Sequence, residues 1–328
     1  MRSERLYLIK TDCTNPYHNI ALEKVLLEHA PKNSITLYLW QNERTVVIGR
    51  NQCAWRECNV PLLREDGGYL ARRLSGGGAV YHDLGNLNFT FLYDKSMEDI
   101  YKQTSVVAKA VATFGLNPQQ SGRNDITIDG RKFSGNAYYT QGERAYHHGT
   151  LLIKTDPVPL GRYLTTDEQK YRSKGITSVR SRVVNLQDLA SEITVDSLSQ
   201  RLIEAFQDGY GAKATWLSED QLPKGEVEKA QEFLSQWSWV YGRPISFTWA
   251  NERRFPFGLL RLELNVQSGS IQDCAVYSDA MQTELLPKIR ERLMNQRADQ
   301  ETINRALECA QTPEELKTAF LELVEGSF

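Results

Sequence analysis

Apolar and polar positions change period several times along the chain, and each change marks an element. Residues 17–30 place Ile20, Val25 and Leu27 at helical spacing ahead of Pro31, which predicts an amphipathic helix. Residues 35–40 and 45–48 are dense in β-branched and aromatic side chains and predict strands, with a third over 69–73. Residues 86–93 (NLNFTFLY) alternate polar with apolar, the period of a strand with one buried face. Helical spacing returns over 99–114 and stops at Gly115, a residue suited to a left-handed cap.

The segment 124–135 (NDITIDGRKFSG) is the most legible local structure. Asp129-Gly130 is a strong two-residue hairpin turn of type I′. It pairs Ile128 with Arg131, Thr127 with Lys132 and Asp125 with Ser134. Alternation then puts Asp125, Thr127, Lys132, Ser134 and Asn136 on one polar face, and Ile126, Ile128 and Phe133 on an apolar one. A third strand is expected over 144–153, after a turn at Gln141-Gly142. Beyond residue 154 the chain reads as irregular, then helical around 195–206 and 226–234. A Gly-Arg-Pro break at 242–244 leads to a second hairpin, 259–266 with 271–277, about Ser268-Gly269. Helices follow over 285–294, 300–310 and 314–325, the last with Thr312 as N-cap and Pro313 at N1. Two hairpin-and-helix patterns without a run of βαβ units predict α+β in both parts. The expected division is a large domain over 1–247 and a small α+β domain over 248–328.

A chain of 328 residues is long enough for two cores. Its formal net charge of −2 supplies no overall field for nucleic acid or an anionic membrane. Cys13, Cys53, Cys58, Cys274 and Cys309 are scattered without CxxC spacing and read as reduced thiols. The start MRSERLYLIKTD lacks a signal-peptide core, and no apolar run reaches the roughly 18 residues of a membrane span. A cytoplasmic protein is therefore expected.

Three segments carry chemistry. In RRLSGGGAVYHD, the glycines Gly76, Gly77 and Gly78 let a ligand approach main-chain N–H donors, and Arg72 and Arg73 add forked cationic donors. Such a loop suits a bound mixed anhydride better than a bare triphosphate, and the absence of the GxxxxGK[ST] arrangement of a P-loop argues against a Walker-type NTPase. On the hairpin, Lys132 lies diagonal to Asp125. Its bland reading is a surface ion pair of little energetic worth. Its functional reading is an ammonium bridging a carboxylate and the α-phosphate of ATP, where charge builds in the transition state. Asp125 is then the candidate Mg²⁺ ligand, with Asn124 as a neutral oxygen donor. In His147-His148-Gly149-Thr150 a histidine is a candidate general base, set against an ordinary packed histidine at a strand end. Ser75 with His82 and Asp83 lacks the GxSxG elbow of a hydrolase. No cysteine lies between Cys58 and Cys274, so a cysteine thioester route is not available in the central region.

Together these segments resemble the lipoate–protein ligase A family of the biotin/lipoate ligase superfamily, in its two-domain bacterial form. RRLSGGGAVYHDLGNLNFTF is similar to the family's lipoate-binding loop and following strand. GRND followed by DGRKFSGNA is similar to the element with its essential lysine. HHGTLL and SKGITSVRSRVVNL match two further stretches. The likeness runs from NIALEKV through TVVIGRNQ to Leu186 and resumes more weakly in the carboxy-terminal part.

The resemblance implies a mixed β-sheet with flanking helices plus a small accessory domain. It implies ligase activity in two steps. Lipoate and ATP give lipoyl-AMP and pyrophosphate, and a lysine of an acceptor then takes the lipoyl group. Carried over by position, Lys132 is the catalytic residue touching both lipoate and the α-phosphate. Arg73, Ser75 and Gly76 lie at the lipoate carboxyl end, while Arg73 again, Gly78, Ala79, Val80 and Tyr81, with Asn124 and Asp125, lie on the ATP side. Ile20, Glu23 and Val47 line the acyl tunnel, and His148 joins the lipoate site. The implied partners are ATP, lipoate or octanoate, and apo lipoyl domains of 2-oxo-acid dehydrogenase complexes or the glycine-cleavage H protein. Mg²⁺ accompanies the ATP, with no tightly bound prosthetic group, nucleic acid or membrane. Rival readings are a transferase of the same fold using preformed lipoyl-AMP or an acyl-protein, and a non-catalytic module that binds lipoyl domains.

Overall fold

The computed structural model describes residues 5–29, 31–121, 124–164, 183–242, 245–281 and 284–327. The chain forms two compact units. One comprises Met1–Val47, Glu57–Arg72 and Val80–Val240; the other comprises Ile48–Arg56, Arg73–Ala79 and Tyr241–Phe328.

The first unit holds strands β1 (Arg5–Lys10), β2 (Ser34–Trp40), β3 (Thr45–Ile48), β4 (Tyr69–Arg72), β5 (Val80–His82) and β6 (Asn86–Asp94). It continues with β7 (Gln119–Ser121), β8 (Asp125–Ile128), β9 (Arg131–Gln141), β10 (Arg144–Leu152) and β11 (Ala214–Trp216). Eight of them make one sheet in the order β11-β1-β2-β6-β10-β9-β8-β7, and β4-β3-β5 make a smaller one. β1 runs parallel to both β2 and β11, whereas β2, β6, β10 and β9 pair antiparallel. A parallel neighbour requires a crossover, and the helix Pro16–His29 supplies it between β1 and β2. One βαβ unit is therefore present where the sequence pattern revealed none.

Two faces of the large sheet do different work. Leu87, Phe89, Phe91 and Tyr93 of β6, with Leu37, Leu39, Ala145 and Leu151, form an apolar core. Helices Ile100–Ala112 and Val195–Tyr210 close it through Val106, Val107, Leu198, Leu202 and Phe206. Both helices start on side-chain caps that answer orphan N–H groups: Asp99 accepts from Lys102, and Thr194 exchanges bonds with Ser197. The opposite face carries Tyr38, Trp40, Asn88, Thr90 and His148 and is buried as well. The alternation along β6 is real, but its polar side is covered rather than solvated.

The covering element explains this. The helix Pro16–His29 buries Asn19, Ile20, Ala21, Leu22, Glu23, Val25, Leu26 and Leu27, so it is enclosed on nearly all sides rather than amphipathic. It packs between the sheet and the helix Glu226–Ser235.

The hairpin turn is as expected, with φ of 51° at Asp129 and 74° at Gly130. Ile128 pairs with Arg131 and Thr127 with Lys132, but Ile126 then pairs with Ser134 and Asp125 with Gly135. A β-bulge at Phe133 inserts one residue into β9, which turns the later side chains over. Ser134 and Asn136 consequently leave the Lys132 face, contrary to the simple alternation. The turn before β10 falls at Gly142-Glu143, closed by Gln141 opposite Arg144.

In the second unit, β12 (Trp249–Phe255), β13 (Gly258–Gln267) and β14 (Ser270–Ser278) form an antiparallel sheet. Leu260, Leu262, Leu264 and Ile271 pack on Ile289, Leu293, Ile303, Phe320 and Leu323 of three helices. Ser268 and Gly269 turn the hairpin at φ of 50° and 75°. At the helix Glu314–Val324 it is Pro313 that occupies the N-cap, without a side-chain bond, and Thr312 Oγ1 is buried with no partner among the described residues. Thr312 is therefore not the cap. Both parts of the chain are α+β, and no helix among the described residues is long and apolar enough to cross a membrane.

Candidate active site

The hairpin β8–β9 presents Lys132 and Asp125 on one face, Nζ to Oδ1 2.8 Å, with side chains 37% and 43% exposed. A pair this open to solvent contributes about 0–1 kcal/mol and is readily exchanged for another anion. The main chain beneath it is firmly held. Lys132 pairs with Thr127 on one side, and its carbonyl accepts the Val184 N–H at 2.9 Å on the other. Gly135 lies under the ammonium: a Cβ there would sit 2.7 Å from Lys132 Nζ. The missing side chain is what lets the lysine lie across the strand to Asp125.

The buried polar face forms a second group. Glu23 is fully buried, and its Oε1 accepts from Thr90 Oγ1 at 2.7 Å and meets His148 Nδ1 at 2.8 Å. Trp40 Nε1 donates to Thr90 Oγ1 at 3.1 Å, which completes a chain of polar groups. Glu23 Oε2 has no partner among the described residues. A buried carboxylate with a spare oxygen is costly in a purely structural setting, which marks this face as built for more than packing. Ile20 and Val47 are buried at 2% exposure.

His147 points to the opposite, apolar face, among Phe89, Phe91 and Tyr138. Burial, reinforced by the neighbouring His148, lowers its pKa to about 3. It is neutral and enclosed, and as such is no general base; the packed-histidine reading holds for it. The folded form resists protonation while the unfolded chain titrates near 6.5. Stability from this group is present above pH 6.5 and is lost as pH falls from there towards 3. We expect wild type to lose about 2 kcal/mol more than His147→Gln between pH 7 and 5, as read from urea midpoints.

The glycine loop belongs to the second unit. Arg73 is buried and turns its guanidinium onto its own loop: Nη2 donates to Gly76 O at 2.7 Å and to Gly78 O at 2.8 Å, and Nε to Ser75 Oγ at 3.1 Å. The arginine thus gathers the carbonyls of the loop. Gly77 N–H donates to Ala280 O at 3.2 Å. A Cβ on Gly76 would lie 2.4 Å from that same oxygen.

Of the predicted residues, Ile20, Glu23, Val47, Val80, Tyr81, Asn124, Asp125, Lys132 and His148 lie in the first unit, and Arg73, Ser75, Gly76, Gly78 and Ala79 in the second. Val80 pairs with Val47 across β5 and β3. The Tyr81 ring packs on Tyr163, and burial raises its pKa above the usual phenol range. Gly122 and Arg123 of GRND, residues 173–182 of SKGITSVRSRVVNL, residue 30 of the first helix and residues 243–244 of the Gly-Arg-Pro break lie outside the described residues.

Sequence reasoning assigned no role to Gly49 and Gln52. Gln52 Oε1 accepts the Gly49 N–H at 2.8 Å, and a Cβ on Gly49 would meet Gly77 O at 2.2 Å. The signal was the TVVIGRNQ stretch, whose glycine follows a strand without an obvious turn. All five cysteines are free; burial pushes the Cys58 and Cys274 thiols up to about 12, far from a working nucleophile.

A family model described as the lipoyl protein ligase A/B catalytic domain matches residues 15–207, and one for the bacterial lipoate protein ligase C-terminus matches residues 245–323. The chain is similar to the lipoate-protein ligase A of Bdellovibrio bacteriovorus, 37% identical over 93% of this chain and 92% of the relative. It is 38% identical to that of Psychrobacter cryohalolentis over 91% of each. Among solved structures, P. falciparum LipL1 in complex with lipoate aligns with a TM-score of 0.82 at 28% identity, over 97% of this chain and 99% of that one. The fold is that of the biotin and lipoate ligases, and the chain belongs to the lipoate–protein ligase A family.

Proposed function

We propose that the protein joins lipoate to ATP and passes the resulting acyl group to a lysine of a protein acceptor. In the first step a lipoate carboxylate oxygen attacks the α-phosphorus, and the bond to pyrophosphate breaks. In the second the acceptor amine attacks the acyl carbonyl, loses a proton, and AMP leaves. The Lys132–Asp125 pair carries this reading. An ammonium on a firmly held strand, balanced among the described residues by a half-exposed carboxylate, is ready to take phosphate and carboxylate oxygens in exchange.

Glu23, His148, Ile20 and Val47 are assigned to the acyl chain. Arg73, Ser75 and Gly76 are assigned to its carboxyl end, and Gly78, Ala79, Val80, Tyr81, Asn124 and Asp125 to the nucleotide. Among the described residues no three His, Cys, Asp or Glu side chains converge as a metal cage. Asp125 alone suits a Mg²⁺ that arrives on the nucleotide phosphates and keeps most of its waters. The main-chain oxygen of Asn124 is already taken by Asn136, which leaves its side chain for such a role. The proposed division is a catalytic domain over 1–247 and an accessory domain over 248–328. The proposed acceptors are apo lipoyl domains of 2-oxo-acid dehydrogenase complexes or the glycine-cleavage H protein, in the cytoplasm.

One assay tests this reading, with purified protein, an apo lipoyl domain, Mg²⁺, ATP and free lipoate. Pyrophosphate release with a mass gain on the acceptor is the expected result. Acceptor modification only with synthetic lipoyl-AMP would transfer the reading to an amidotransferase.

A further inference from the structure

We infer that Asn136, held by His147 and Gln103, is a positioning residue that sets the Asn124-Asp125 main chain and, through it, the Lys132 ammonium. This rests on the reading of Lys132 as the ammonium that bridges carboxylate and α-phosphate.

Three polar side chains lie within the apolar core of the first unit: Gln103 and His147 at 0% exposure and Asn136 at 7%. His147 Nε2 is 2.9 Å from Asn136 Oδ1, and His147 Nδ1 is 2.9 Å from the Gln103 side-chain amide. Asn136 Nδ2 donates to Asn124 O at 2.9 Å, and Asn136 N–H donates to the same oxygen at 2.8 Å.

Donor and acceptor roles then follow without freedom. Asn136 spends its NH₂ on Asn124, so its oxygen faces His147, and His147 carries its one proton on Nε2. Nδ1 must accept, and Gln103 meets that need when its amide is turned to present Nε2, an atom otherwise without an acceptor among the described residues. Gly149 makes room for the joint, since a Cβ there would lie 2.6 Å from Asn136 Oδ1.

A buried polar chain of this kind costs desolvation and adds nothing to an apolar core that leucine would not. Its output is a doubly hydrogen-bonded carbonyl at Asn124, one residue before Asp125. Asp125 pairs with Gly135 beneath the lysine head and holds Nζ at 2.8 Å. The bulge at Phe133 is what places Asn136 on the core side, where it can do this.

The test is a double-mutant cycle on the full chain. We expect Asn136→Ala to lower kcat for pyrophosphate release by roughly 10–100-fold, with KM for lipoate within about twofold. In a Lys132→Ala background the same change should alter the residual rate by less than about twofold, because the group it serves is gone. An unchanged kcat in Asn136→Ala, or a loss that multiplies in full on Lys132→Ala, would overturn the inference. Should Asn136→Ala not fold, Asn136→Leu answers the same question: it keeps the volume and cannot donate a side-chain bond to Asn124 O. Lys132→Ala alone retaining normal turnover would instead bring down the reading of the lysine itself.

Discussion

We expect Lys132→Ala to lower both pyrophosphate release and acceptor modification by roughly 10²–10³, the usual effect of deleting one donor that meets charge developing in a transition state. Its thermal midpoint stays within a degree or two of wild type. The side chain is 37% exposed and its ion pair with Asp125 is solvent-screened, so the folded state loses little. Main-chain pairing with Thr127 and Val184 does not need the side chain. Lys132→Arg recovers only part of the rate, because a planar fork does not replace a point charge set among oxygens of two substrates. Turnover within threefold of wild type in Lys132→Ala would remove the lysine from the mechanism.

Gly49→Ala is the second large expected effect. The backbone at Gly49 is open to any residue, so strain enters only through space. The new Cβ would sit 2.2 Å from Gly77 O, a main-chain atom that can yield only by moving the loop. That loop is gripped by Arg73 at Gly76 O and Gly78 O, so displacement breaks those bonds and scatters the main-chain donors. We expect kcat/KM for lipoate to drop about a hundredfold, as misplacement by an ångström does. Gly161→Ala is the control: a Cβ there meets nothing within 4 Å among the described residues, and activity should be unchanged, with the midpoint unchanged or slightly raised because alanine is favoured within a helix. Equal activity in the two variants would show that loop placement does not govern the reaction.

Local signals carried much of the fold. Asp129-Gly130 specified its turn because positive φ at two successive residues selects few residue types. The bulge had no such signature, and one inserted residue moved Ser134 and Asn136 to the other face. β1 was overlooked because its partners are β2 and β11, and parallel pairing joins segments that sequence order keeps apart. The first helix looked amphipathic because Asn19 and Glu23 are polar; in the fold both are buried, Asn19 bonded to Cys13 O and Gln41 O and Glu23 to His148. Lys132 and Asp125 were legible from the hairpin alone. Glu23 enters only by resemblance and His148 as one of a histidine pair; no local rule couples the two, which lie 125 positions apart.

The two-faced sheet has a consequence for how this enzyme can change. Along β6, Leu87, Phe89 and Phe91 answer to the core, while Asn88 and Thr90 answer to the buried polar face. Enlarging or shrinking the first set costs stability directly, typically 2–5 kcal/mol for truncation to alanine. Replacing members of the second set alters the buried polar face around Glu23, to which we assign the acyl chain, and leaves the apolar side chains of the core in place. On that proposal, selectivity and core packing fall on alternate residues of the same strand. A population of variants can explore new acyl chains through one set while the other keeps the molecule folded.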